Sequence, residues 1–183
     1  MRLNKVIILV IGAVIFGGCG SDTQKTDTNT QVTSSTISDP LVYDSKILGE
    51  LTHVNQGLFG ILEQISAADS VGITQQYYRT IQQLDEGIEK LNTLPAMKGN
   101  TTYRDAALKI MKFHRDAMDK EYKRIIEISV KKKTTTREEE ERETLYEQME
   151  NVEEKLDEQF FNIRNKFGKE NNVKLPSGAD LQL

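Results

Sequence analysis

The chain has 183 residues, with 24 Lys and Arg against 28 Asp and Glu for a net charge of −4, one cysteine and no tryptophan. That length suits one domain with an adequate core. The mild acidity argues against nucleic acid or anionic lipid as a partner, since both select clustered cations, and a lone thiol excludes an internal disulfide or a cysteine-based zinc cluster.

The N-terminus has the three-part layout of a secretory signal: Arg2 and Lys5 ahead of a nearly unbroken apolar run over residues 6–16, closed by Gly17-Gly18-Cys19. A membrane-spanning helix needs roughly 20 apolar residues, and here polarity begins at once after Cys19, so retention as a transmembrane anchor is not expected. Small residues at Gly17 and Gly18 let a peptidase approach the backbone, while the Cys19 thiol is placed to receive a diacylglyceryl group. The stretch resembles a lipobox, with Phe16 where a Leu usually stands. Residues 1–18 are therefore predicted to be a lipoprotein signal peptide cut after Gly18, with Cys19 as the lipid attachment site. The alternative is an ordinary secretory signal. Loss of Arg2 and Lys5 would leave the mature chain at −6.

Residues 20–39 are rich in Thr, Ser, Asp and Gln and lack apolar periodicity, a composition that cannot repay its ordering entropy. Residues 19–43 are predicted to be a flexible tether with a root-mean-square span of roughly 25 Å. From Asp44 to about Lys169 helix formers and spaced apolar residues take over, with nothing that alternates like a strand.

Four helices are predicted. The first aligns Ile47, Leu51, Val54, Leu58, Ile61 and Ile65 at steps of four and three, and Leu48, Phe59 and Leu62 widen the stripe. A break follows at Ala67-Ala68, with Asp69 as N-cap of the second helix, which carries Tyr77, Ile81, Leu84, Ile88 and Leu91 and stops at Pro95. The third starts behind Gly99-Asn100-Thr101, turns Tyr103, Ala106, Ala107, Ile110, Phe113, Ala117, Tyr122, Ile125 and Ile128 inward, and ends near Lys131. The fourth opens on Thr136 and Glu139, spaced as a capping box, and buries Leu145, Met149, Val152, Leu156, Phe160, Ile163 and Phe167. Residues 44–170 are thus predicted to form an all-α, up-down-up-down four-helix bundle, followed by a C-terminal tail over 171–183. In that topology the first and third turns share the end away from the tether, so Lys131, Lys132 and Lys133 stand at the far tip as a possible interaction site. Cations also favour a helix C-terminus through the macrodipole, which accounts for the run without a partner.

Chemical motifs are scarce. Glu50 and His53 make one Glu-x-x-His step, but carboxylate-bridged metal bundles need that step twice, and His114 has Met111 three positions earlier. No metal site and no cofactor is expected. His114, next to Phe113, reads as a residue at the boundary of the apolar face, Tyr77, Tyr78, Tyr103 and Tyr122 as core and boundary filling, and the methionines as packing. No Gly-rich phosphate loop, Cys-His pairing or Gly-x-Ser-x-Gly elbow is present, and no enzymatic activity is expected.

The segment Leu94-Pro95-Ala96-Met97-Lys98-Gly99-Asn100-Thr101-Thr102-Tyr103-Arg104-Asp105-Ala106-Ala107, with Phe113 and Glu121-Tyr122, resembles a family of helical surface lipoproteins of diderm bacteria. The likeness extends over residues 44–170 and implies a helical bundle and an envelope location, with no established activity. Two functions follow as expectations. One is a membrane-anchored, non-catalytic helical domain that engages an envelope protein, held to the outer membrane through lipid on Cys19, facing the periplasm or the cell surface. The other is a bundle that binds a small ligand or a metal.

Overall fold

The computed structural model describes residues 37–176. Cys19, Gly18 and the expected signal and tether up to residue 36 lie outside them, as do residues 177–183. The described residues form an all-α, up-down-up-down bundle with no strand among them.

Helix α1 runs Pro40–Ser66. It starts four residues before Asp44, because Asp39 caps it: its carboxylate accepts from Leu41 N at 2.8 Å and Val42 N at 3.4 Å. Pro40 occupies a position where a missing N–H is harmless and its φ is already helical. The chain leaves α1 through Ala68, held at φ 54°, and enters α2, Ser70–Thr93, behind the expected cap Asp69, which accepts from Val71 N at 3.1 Å. α1 and α2 approach closely where small residues face each other. Gln76 Nε2 donates to the Gly57 carbonyl at 3.1 Å, and the hydroxyl of fully buried Thr80 turns back to its own helix at Gln76 O, 2.8 Å away.

Pro95 closes α2, and Lys98-Gly99, both at positive φ, make a tight reversal in which Met97 and Asn100 exchange backbone hydrogen bonds of 3.1 and 2.9 Å. Arg104 reaches back to cap the α2 terminus, donating to Leu94 O at 2.7 Å. The third rod comprises α3, Thr102–Ala117, a π turn over Met118–Tyr122, and α4, Lys123–Ser129, without interruption. A reversal follows, and α5 spans Thr136–Glu170. Its N-cap is Thr135 rather than Thr136. Thr135 Oγ1 accepts from Glu138 N at 3.3 Å while Glu138 Oε2 accepts from Thr135 N at 2.9 Å, so the capping box sits one residue earlier than expected. Thr136 already belongs to the first turn and cannot act as the cap.

Tyr43, Ile47, Ile61, Ile73, Leu84, Leu91, Met111, Met118, Ile125 and Ile128 are among the fully buried side chains of the bundle. At about 1.5–3 kcal/mol per large apolar side chain, this burial dominates the folding free energy. The α2 contact face is centred on Ile73, Thr80, Leu84, Gly87 and Leu91, leaving Tyr77, Ile81 and Ile88 at its margin rather than at its middle. On α5 only Met149, Phe160, Arg164, Phe167 and Gly168 are buried. Val152, expected inside, is exposed, because α5 presses mainly on the third rod and its contact stripe is correspondingly narrow.

Candidate functional site

Antiparallel pairings define two ends. Glu50 meets Lys90, Asp85 meets Arg115, Tyr103 meets Phe160 and Arg124 meets Glu141, so the turns at 67–69 and 130–135 share the distal end. Asp39, the 94–101 loop and the end of α5 share the proximal one.

The proximal end is tied by a buried polar knot. Arg164 of α5 donates through Nε to Asp44 Oδ1 at 2.7 Å and through Nη2 to Oδ2 at 2.8 Å, and both side chains are 3% exposed. Tyr103 Oη of α3 donates to Asp44 Oδ1 at 2.6 Å. Burial and the adjacent Asp44 charge raise the Tyr103 phenol well above its ordinary range, so the hydroxyl keeps its proton and acts only as a donor to the carboxylate. The remaining Arg164 donor, Nη1, bonds the Pro176 carbonyl at 2.9 Å. The tail thereby folds back along α5 over Gly168, where a Cβ would come 3.1 Å from both Leu175 Cγ and Val173 O. Tyr43, Tyr103, Phe160 and Phe167 stack around the knot with ring centroids 4.9 to 6.3 Å apart. The arrangement joins α1, α3, α5 and the tail; Asp44, Arg164 and Tyr103 satisfy one another, while the buried Tyr43 hydroxyl has no hydrogen-bond partner.

A second polar group lies in the seam between the third rod and α5. His114 is buried, and its Nδ1 has no hydrogen-bond partner; the nearest acid is Glu153, with Oε1 at 3.6 Å. Burial lowers the imidazole pKa from 6.5 to about 4, so His114 is neutral at pH 7. Burial, reinforced by the charges of Asp157 and Glu150, raises Glu153 to about 7. Buried Tyr122, at the end of the π turn, faces the same carboxylate and its phenol is raised by burial and then by Glu153. The π turn is itself anchored from α2: Tyr77 Oη donates to Met118 O at 3.0 Å. His114 is thus interior rather than a boundary residue. The π turn carries buried Met118 and Tyr122 in continuation of the face that His114 occupies on α3.

The expected distal lysines divide. Lys131 Nζ donates to Glu138, whose carboxyl is held down at about 2 first by that contact and then by Thr135, so Lys131 belongs to the α5 cap. Lys132 and Lys133 are exposed. Of the Glu-x-x-His step, Glu50 accepts from Lys90 at 3.1 Å on the α1–α2 surface and His53 is exposed, so the two do not converge on a site. Among the described residues, no three His, Cys, Asp or Glu side chains are placed to share a metal ion. No described helix is long and apolar enough to cross a membrane. Exposed apolar side chains lie at both ends, with Leu41 and Val42 proximal, Val152 midway along α5, and in the distal half Phe59 on α1, Val71 and Tyr78 on α2 at 65% and 66% exposure, and Val130 beside Lys132 and Lys133.

Comparison with protein-family models, with curated proteins and with solved structures finds no match for this chain.

Proposed function

We propose that this protein is a bacterial envelope lipoprotein, cut after Gly18 and lipid-anchored through Cys19, whose helical domain is a non-catalytic module that engages another envelope protein with its distal half. The observation that carries the anchoring is the run of two cations, an apolar stretch and Gly-Gly-Cys, followed immediately by a polar segment. The resemblance of residues 44–170 to helical surface lipoproteins of diderm bacteria supports the same location, at the outer membrane on its periplasmic or external face. For engagement, the support is the grouping of Phe59, Val71, Tyr78 and Val130 with Lys132 and Lys133 at the end opposite the tether. An exposed aromatic and apolar set of this kind supplies the centre of a small protein interface, and Lys132 and Lys133 would stand in its polar rim.

Mass spectrometry of the mature polypeptide tests the anchor: an acylated N-terminal Cys19 is expected, and an unmodified residue 19 refutes it. Proximity labelling in the native host tests the module. Val71→Asp with Tyr78→Asp is expected to remove one specific neighbour from the labelled set, and an unchanged set in a folded variant refutes distal engagement. The alternative of a ligand-binding bundle would place its ligand against His114, whose buried Nδ1 has no hydrogen-bond partner, and half-buried Glu153 beside it. Metal analysis of the purified chain addresses it directly.

A further inference from the structure

We propose that Glu153 and His114 form a proton-operated latch between α5 and the third rod: a protonated Glu153 donates its O–H to His114 Nδ1 and seats α5, and loss of that proton to solvent loosens the seam. The pair is placed for this. His114 Nδ1 is buried without a partner, and among the described residues the acid beside it is Glu153, 3.6 Å away, just beyond a hydrogen bond. A small inward movement of α5 closes the gap. With its proton on Nε2, the imidazole offers Nδ1 as an acceptor, which a neutral carboxyl satisfies.

The surroundings set the direction. From α3 the carboxyl meets neutral His114, from the π turn the phenol of Tyr122, and on α5 itself Glu150 and Asp157, one turn before and one turn after. No cation from these elements neutralises an ionised Glu153, and its two acidic neighbours repel it. Burial and this repulsion raise its pKa to about 7, so the proton is exchanged close to neutrality. About a third of the Glu153 side chain reaches solvent, which provides the route for the proton and an outward position for the carboxylate. The fixed side of the latch is the π turn, pinned by the bond from Tyr77 to Met118 O. This proposal does not depend on the identity of any partner.

The test is nuclear magnetic resonance and amide exchange on the full chain in detergent. The Glu153 carboxyl carbon is expected to titrate near pH 7, with the His114 Nδ1 nitrogen shifting at the same midpoint while the imidazole stays neutral. Protection of α5 amides over residues 146–157, taken relative to Glu153→Gln, is expected to fall severalfold, and at most about tenfold, from pH 6 to pH 8. The amide of the variant cannot ionise and keeps a donor toward His114. A Glu153 titration below pH 5, a His114 nitrogen that ignores it, or a wild-type to variant ratio independent of pH overturns the latch. A variant that fails to fold leaves the two resonance titrations of the wild type to decide.

Discussion

Removing the charge from Asp44 should be among the most damaging single changes in the domain. Asp44→Asn keeps volume and hydrogen-bonding shape but leaves the Arg164 guanidinium, 3% exposed, without its counter-charge. Both lost contacts are short and charge-assisted, at 2.7 and 2.8 Å, and the Tyr103 hydroxyl loses an anionic acceptor at 2.6 Å. Breaking one side of a buried pair costs about 3–5 kcal/mol, because the abandoned charge has no water to return to. Against a total stability of about 5–15 kcal/mol, that lowers the melting temperature by roughly 10 °C or more in a domain of this size. Thermal and urea unfolding of the full chain, followed by circular dichroism at the helix band, measures it. The same reasoning makes Asp44→Leu with Tyr103→Phe and Arg164→Met recover at least half of the loss, since an apolar set of similar volume carries no desolvation penalty. If Asp44→Asn lies within about 0.5 kcal/mol of exposed Glu63→Gln, the knot does not hold the proximal end, and the account of it is wrong.

Other consequences are more local. His114 and Glu153 should impose opposite pH slopes. The His114 contribution is complete above pH 6.5 and is lost as pH falls through 4, whereas the Glu153 contribution is complete below 4.5 and is lost as pH rises through 7. Between pH 4.5 and 6.5 the two oppose each other, so urea midpoints of Glu153→Gln should fall on acidification and those of His114→Gln should rise. The slope is at most about 1.4 kcal/mol per pH unit for His114 and smaller for Glu153, whose solvent-facing part is screened. Parallel profiles for the two variants would contradict the assigned protonation states. Thr135→Ala should cost about 1 kcal/mol and Thr136→Ala much less, a pair of unfolding curves that reads the register of the cap. Gly49→Ala, with nothing within 4 Å of the added methyl, should stabilise by about 0.5–1 kcal/mol, while Gly57→Ala, with Gln83 Oε1 at 2.3 Å and Thr80 Oγ1 at 2.9 Å from it, should destabilise by about 1–3 kcal/mol.

The helices were legible because their signals are local: the four-and-three spacing of Ile47 through Ile61, Asp69 as a cap, Pro95 as a stop. The early start of α1 was masked by the polar composition that precedes it. Leu41 and Val42 are exposed and add no stripe, leaving only Asp39-Pro40 as a marker. Thr135 and Thr136 each stand three residues before a Glu, so pattern alone could not choose between them. The polar knot was out of reach for a different reason. Asp44 and Arg164 are 120 positions apart, and each by itself looks like one more charge on a charged chain. His114 was misplaced because Phe113 and His114 both fit a three-and-four step between Ile110 and Ala117, and polarity favoured Phe113; the fold half-buries Phe113 and buries His114.

The two ends of the domain are built for different loads. On the proposed anchoring, any pull from the lipid reaches the fold at Pro40, four residues from Asp44, and the carboxylate there passes it at once to α3 through Tyr103 and to α5 through Arg164. Four aromatic rings and the returning tail exclude water from that junction, so the tether enters where the bundle is most tightly closed. Away from it the ties between α5 and the third rod become titratable at His114 and Glu153 and solvent-exposed at Arg124 and Glu141. Local opening should follow that gradient, since stability is lowest where dry contacts are fewest.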